Sequence, residues 1–240
     1  MASGRHLTSQ CSGPGARVAR PPATDRECYL SVPKGSQIFS SALLLILLAG
    51  AAPADDRSSD LVVFVGERIE VRQVADTPPP GVLSLDLKFE ARYKVHTVIF
   101  GAYTASEIRF TAFDHYGRPA FTDYDTVMLY VSKYDGQLFH QKYQFSPVYR
   151  TANGRWAGCG DPYQHEPEVH RGALRARPID FLPEVTFSVS GLALDEVKKR
   201  YPSEYFVRRG DIVKCIAGAY AEQLFEIKRN GVLRARGIFR

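Results

Sequence analysis

From Leu83 to Thr97 the chain alternates without interruption. Leu83, Leu85, Leu87, Phe89, Ala91, Tyr93, Val95 and Thr97 hold the odd positions, and Ser84, Asp86, Lys88, Glu90, Arg92, Lys94 and His96 the even ones. Successive strand side chains point to opposite faces, so this period of two predicts a strand with one buried and one wet face. At about 3.3 Å per residue such a strand would be roughly 50 Å long, beyond the usual range, so it must bend or carry a bulge, as barrel strands do.

The neighbouring segments are also strand-like. Leu61–Val65 is a continuous apolar run ended by Gly66, and Arg68–Arg72 alternates. Thr77-Pro78-Pro79-Pro80-Gly81 cannot join a ladder. Ile108, Phe110 and Ala112 mark another strand, and Val127–Tyr134 and Gln137–Phe145 flank the hairpin signal Asp135-Gly136. Asn153-Gly154 suggests a further turn, and Gly158–Pro183 is polar and without period. Val185, Phe187 and Val189 predict a strand, as does Ile212–Ile216, while Leu194, Val197 and Tyr201 have helical spacing stopped by Pro202. Residues 219–239 fit a helix through Tyr220, Leu224 and Ile227, closed by Gly231, or a hairpin about Asn230-Gly231; the helix is favoured.

Residues 61–150 resemble the netrin/TIMP-like modules. The resemblance lies in Val62-Val63-Phe64-Val65-Gly66 with Val71 following, in the theme Val95, Val98, Gly101 closing the long strand, in Ile108 and Phe110, and in the acid-led strand Asp125–Val131. It implies a mainly β (α+β) fold: an OB-like antiparallel barrel over 55–150, with a loop-rich α/β extension over 151–240. Inhibitory members of that family use a cysteine at the mature N-terminus. Here Asp55 would stand there and the barrel region has no cysteine, so the resemblance lends a fold and no inhibitory mechanism.

Ahead of these strands lies an export pattern. Lys34 is followed by the apolar run Ile38–Gly50 and then by Ala52-Pro53-Ala54 before Asp55 and Asp56, as in a signal peptide over 32–54 cleaved between Ala54 and Asp55. A spanning helix needs roughly 20 apolar residues, and the dense run Ala42–Ala49 is far shorter. Ala51 stands where a lipoprotein would carry cysteine. Residues 1–31 are read as an untranslated or disordered leader, with a start at Val32 or Leu30. Of 31 basic and 26 acidic groups, five and two lie in residues 1–54, which leaves 26 against 24. That near-balance removes the case for a nucleic-acid partner. The implied location is periplasmic or secreted, with no stable membrane anchor after cleavage.

Cys159 and Cys215 remain after cleavage, and a lone pair in an oxidising compartment reads first as a disulfide. Alternatives are two free thiols, or a nucleophilic Cys159 approached by His140, His165 or His170. His165-Glu166-Pro167-Glu168-Val169-His170 has its histidines five apart with proline between them, wrong for a zinc-hydrolase helix and compatible only with a loop metal site. Asp114-His115-Tyr116-Gly117-Arg118 reads as a turn capped by Asp114, and as a recognition loop through Asp114, His115, Tyr116 and Arg118. Asp123 and Asp125 read as turn residues. Tyr130, Tyr134, Tyr143 and Tyr149 read as cross-strand packing, or as an aromatic platform. Lys228, Arg229, Arg234, Arg236 and Arg240 form a basic, solvated end.

No phosphate loop and no Gly-x-Ser-x-Gly occurs, and nothing calls for a cofactor. The expected function is an exported non-catalytic binding or accessory module of the cell envelope, with a protein or carbohydrate ligand. The alternatives are a cysteine-dependent hydrolase or redox protein built on Cys159, and a structural accessory of an envelope complex.

Overall fold

The computed structural model describes residues 57–240, except residues 77, 79, 80, 82, 83 and 168–170. The leader, the signal segment and the Ala54–Asp55 cleavage site lie outside the described residues. Among the described residues no helix is long and apolar enough to cross a membrane.

Strand β1 (Leu61–Val74) organises the rest. Its first residues are apolar on both faces because both faces are covered, the condition that produces continuous apolar runs. Val62 and Phe64 point into the interior of a ring of strands, among Phe89, Tyr93, Ile108, Phe110 and Leu129. Leu61, Val63 and Val65 point outward, against Met128, Tyr130, Leu224, Phe225 and Leu233. The strand does not stop at Gly66. Instead its pairing with β2 (Leu87–Phe100) slips at Val63/Phe64, Val65/Gly66 and Arg68/Glu70. Such slips let a long strand curl.

The ring follows the order β1-β2-β3-β5-β4, where β3 is Glu107–Asp114, β4 is Thr126–Tyr134 and β5 is Gln137–Pro147. Its neighbours are antiparallel except β3 and β5, which are parallel and share the single pair Thr111–Phe139. Asp135 and Gly136 both take positive φ, 46° and 74°, as a tight hairpin between β4 and β5 requires. The alternating run becomes strand only at Leu87. There β3 ends, at Asp114 opposite Leu87, and β1 ends beside it, at Val74 opposite Lys88, so Ser84–Asp86 have no ladder to join. At the other end of β2, Gly101 has φ +81°, and a Cβ there would stand 2.2 Å from the Leu61 carbonyl oxygen.

The remainder forms two small sheets. One has the order β6-β7-β12-β8, from β6 (Tyr149–Arg150), β7 (Trp156–Cys159), β8 (Arg177–Pro178) and β12 (Ala217–Tyr220). The other has the order β10-β11-β9, from β9 (Thr186–Ser188), β10 (Phe206–Arg209) and β11 (Ile212–Cys215). They enclose their own core, including Ile179, Val189, Val197 and Val213. The Gly158–Pro183 stretch is therefore not all loop. It includes part of β7 and all of β8, strands too short to show a period. Helix α1 (Leu194–Arg200) ends before Pro202. Helix α2 (Ala221–Lys228) resolves the two readings of the C-terminal segment in favour of helix, then widens into one π turn at Arg229–Leu233 around a non-helical Gly231. Leu224 and Phe225 of α2 cover the outer faces of β1 and β4, and the described residues from Arg57 on belong to one compact unit.

Cys159 and Cys215 are joined in a disulfide, with Cα atoms 6.1 Å apart. The bond links β7 to β11. It joins the two sheets of the extension to each other, and does not tie the extension back to the ring.

Candidate recognition face

The loop after β3 is built as a capped turn. Asp114 is buried, its Oδ1 accepts the N–H of Tyr116 at 2.9 Å, and Gly117 supplies φ +121°. This leaves Tyr116 projecting, 87% exposed. His115 packs edge-on to Tyr116 with ring centroids 5.4 Å apart, and its Nδ1 lies 3.0 Å from the Leu85 carbonyl oxygen. Arg118 is exposed, and its charge acts on the Tyr93 hydroxyl, which burial holds above its ordinary pKa. Asp114, His115 and Tyr116 thus form one unit.

The second half of the face comes from a bulge in β5. Leu129 pairs with Phe145 and Val131 with His140, so the four residues Gln141–Gln144 stand opposite the single residue Tyr130. Within the bulge Tyr143 takes φ +66°, a conformation unfavourable for an aromatic residue. Four side chains hold it. His140 Nε2 meets the Gln144 carbonyl oxygen at 2.8 Å, and Gln141 donates to Ser132 Oγ at 2.8 Å. Lys142 donates to both Asp86 oxygens, at 2.8 and 2.6 Å. Arg236 donates to Gln141 Oε1 at 3.3 Å and to the Lys142 carbonyl at 2.9 Å. Tyr143 is thereby presented, 44% exposed, 6.2 Å from the Tyr116 ring, and Leu85 stands nearby in the chain at 68% exposure. The outcome is an exposed pair of tyrosines beside a salt-bridged Asp86–Lys142 rim.

The structure does not gather the four tyrosines of the anticipated platform. Tyr130 is fully buried under α2, Tyr134 is exposed at the hairpin against Phe139, Tyr149 contributes to the extension, and only Tyr143 reaches the recognition loop. The basic end is also redistributed. Lys228 is buried in an ion pair with Glu166, Arg229 pairs with Glu226 at 3.2 Å, and Arg236 clamps the bulge. Asp125 holds Arg68 at 3.0 Å across β1, a structural role. His165 lines a separate cavity, while Glu168 and His170 lie outside the described residues. Cys159 also lines that cavity, and in its bonded state it carries no thiol.

Sequence reading missed the bulge. No glycine marks it, and the alternation of β5 gives no sign of four residues set against one.

His140 carries the pH dependence of the bulge. Burial against Phe121, whose ring is 4.7 Å away, lowers its pKa to about 4; the Gln144 hydrogen bond opposes this and the Arg236 charge adds to it. The unfolded chain takes up the proton near 6.5 and the folded one near 4, so this stability is complete above about 6.5 and is lost as pH falls toward 4. Urea titrations at pH 7 and pH 4.5 should differ by about 2 kcal/mol more in the wild type than in His140→Gln. Equal differences would remove His140 from this role.

No protein-family model, no curated protein and no solved structure matches the chain.

Proposed function

We propose that this chain is an exported, non-catalytic binding module of the cell envelope that recognises a protein or carbohydrate through the Tyr116–Tyr143 face, after removal of residues 32–54 between Ala54 and Asp55. The observation that carries the reading is the backbone of Tyr143. A non-glycine residue in the left-handed region costs about 1–3 kcal/mol and persists where the surroundings enforce it, characteristically at binding sites. Here the enforced side chain fills no core and stands in solvent beside a second exposed tyrosine. The disulfide supports an oxidising compartment. The ring order β1-β2-β3-β5-β4, with its parallel closing pair, supports the OB-type reading, and the rim loops of such rings commonly hold ligands.

Tyr143→Gly separates strain from packing. Glycine relieves the positive φ, so the variant should gain about 1 kcal/mol in urea denaturation. It should also lose at least about tenfold in co-sedimentation with purified envelope fragments of the native host, a change of about 1.4 kcal/mol. Tyr116→Ala should match it in binding. Retention equal to wild type in both variants would discard this face.

A further inference from the structure

A second cavity, of about 400 Å³, is lined by residues of β5, β7, β10 and α2 and shares no lining residue with the Tyr116–Tyr143 face. Its size falls in the range of small-molecule sites, roughly 300–1,000 Å³. Tyr124, Tyr149 and Tyr201 all line it. Burial raises the Tyr149 phenol to about 12, with the phenols of Tyr124 and Tyr201 close enough to add to the shift. The Tyr149 phenol therefore keeps its proton at neutral pH and can donate. The sealed, unpartnered phenols among the described residues are those of Tyr93 and Tyr130; the hydroxyls of Tyr124, Tyr149 and Tyr201 are not among them and remain open to the cavity.

The walls are aromatic. Phe145 lies 6.0 Å from Tyr124, Phe187 stacks on Tyr201 at 5.6 Å, and Phe206 meets Tyr201 edge-on at 5.1 Å. The charges are already matched. Lys228 is bound to Glu166, Asp161 to Arg171 and Arg200 to Glu196. His165 is held below its usual pKa by burial and then by the Lys228 charge, so it is neutral at pH 7. An anionic or cationic ligand would find no uncompensated partner here. A flat ring with hydroxyls around its edge would find aromatic faces for the ring and three phenols for the edge.

We propose that this cavity binds a neutral monosaccharide ring, free or at the end of a glycan. Isothermal titration of the full chain with glucose, galactose, mannose and N-acetylglucosamine tests it, with glucuronic acid, glucosamine and phenol as contrasts. At least one neutral sugar should bind with a Kd on the order of 1 mM, ahead of both charged sugars and of phenol. Tyr149→Phe should weaken that sugar about fivefold without lowering the melting temperature, since the lost hydroxyl is open to the cavity. Tyr201→Phe should do the same, and Tyr134→Phe, at the distant hairpin tip, should change nothing. The proposal is overturned if no neutral sugar binds at concentrations on the order of 10 mM, if phenol or a charged sugar binds best, or if both phenylalanine variants bind as wild type.

Discussion

Replacing Lys228 by methionine should cost about 3–5 kcal/mol of stability, the range for removing one member of a buried ion pair. The side chains of Lys228 and Glu166 are only 8% and 3% exposed. Lys228 is the last residue of α2, and Glu166 belongs to the loop after β7, so the pair joins that helix to that loop. With the ammonium gone, the carboxylate loses its ion-pair partner in a site that leaves it only slightly exposed. The double variant Lys228→Met/Glu166→Leu removes the buried carboxylate as well and should recover most of the loss. Urea denaturation of the three proteins is the check. A loss under about 1 kcal/mol in the single variant would place the pair in contact with water.

Removing the disulfide should have a comparable effect. The bond spans a sequence separation of 56, and the chain-entropy model gives about 4 kcal/mol for a loop of this size. For a domain of this size that corresponds to a fall in Tm of about 10 °C. Cys159→Ala/Cys215→Ala, compared with wild type by calorimetry with and without reductant, separates the bond from the side chains. The bond connects the two sheets of the extension, so the loss should appear first in hydrogen exchange of β7, β11 and β12 and last in β1 and β4. If the variant melts with the wild type, the extension is held by its apolar core alone.

What could be read in the sequence follows from how local its causes are. The doubly apolar run Leu61–Val65, the alternation through Val95 and the Asp135-Gly136 turn each depend on neighbouring residues, and each became the expected kind of element, though β1 runs on past Gly66 and β2 starts only at Leu87. The capped turn at Asp114 was legible because the carboxylate bonds an amide two residues on. Errors arose where a distant partner decides. Leu85 alternates correctly yet lies outside the strand, since β1 and β3 end before reaching it. Lys228 sits in a basic stretch, and only the folded chain brings Glu166 to it. Tyr143 owes its conformation to Asp86, Ser132 and Arg236, from three separate parts of the chain. The Tyr124, Tyr149 and Tyr201 cluster likewise has no spacing that a linear reading could find.

The double covering of β1 also sets a schedule. The strand that opens the ring is made well before the helix that shelters its outer side, Ala221–Lys228. At about 5–20 residues per second the ribosome takes roughly 10–30 s to bridge that interval. Throughout it Leu61, Val63 and Val65 form a sticky edge with no lid. A chain arranged this way gains from being kept loose and escorted until that helix is available. Truncating it after the ring would yield a species with a permanently bare flank, inclined to self-association.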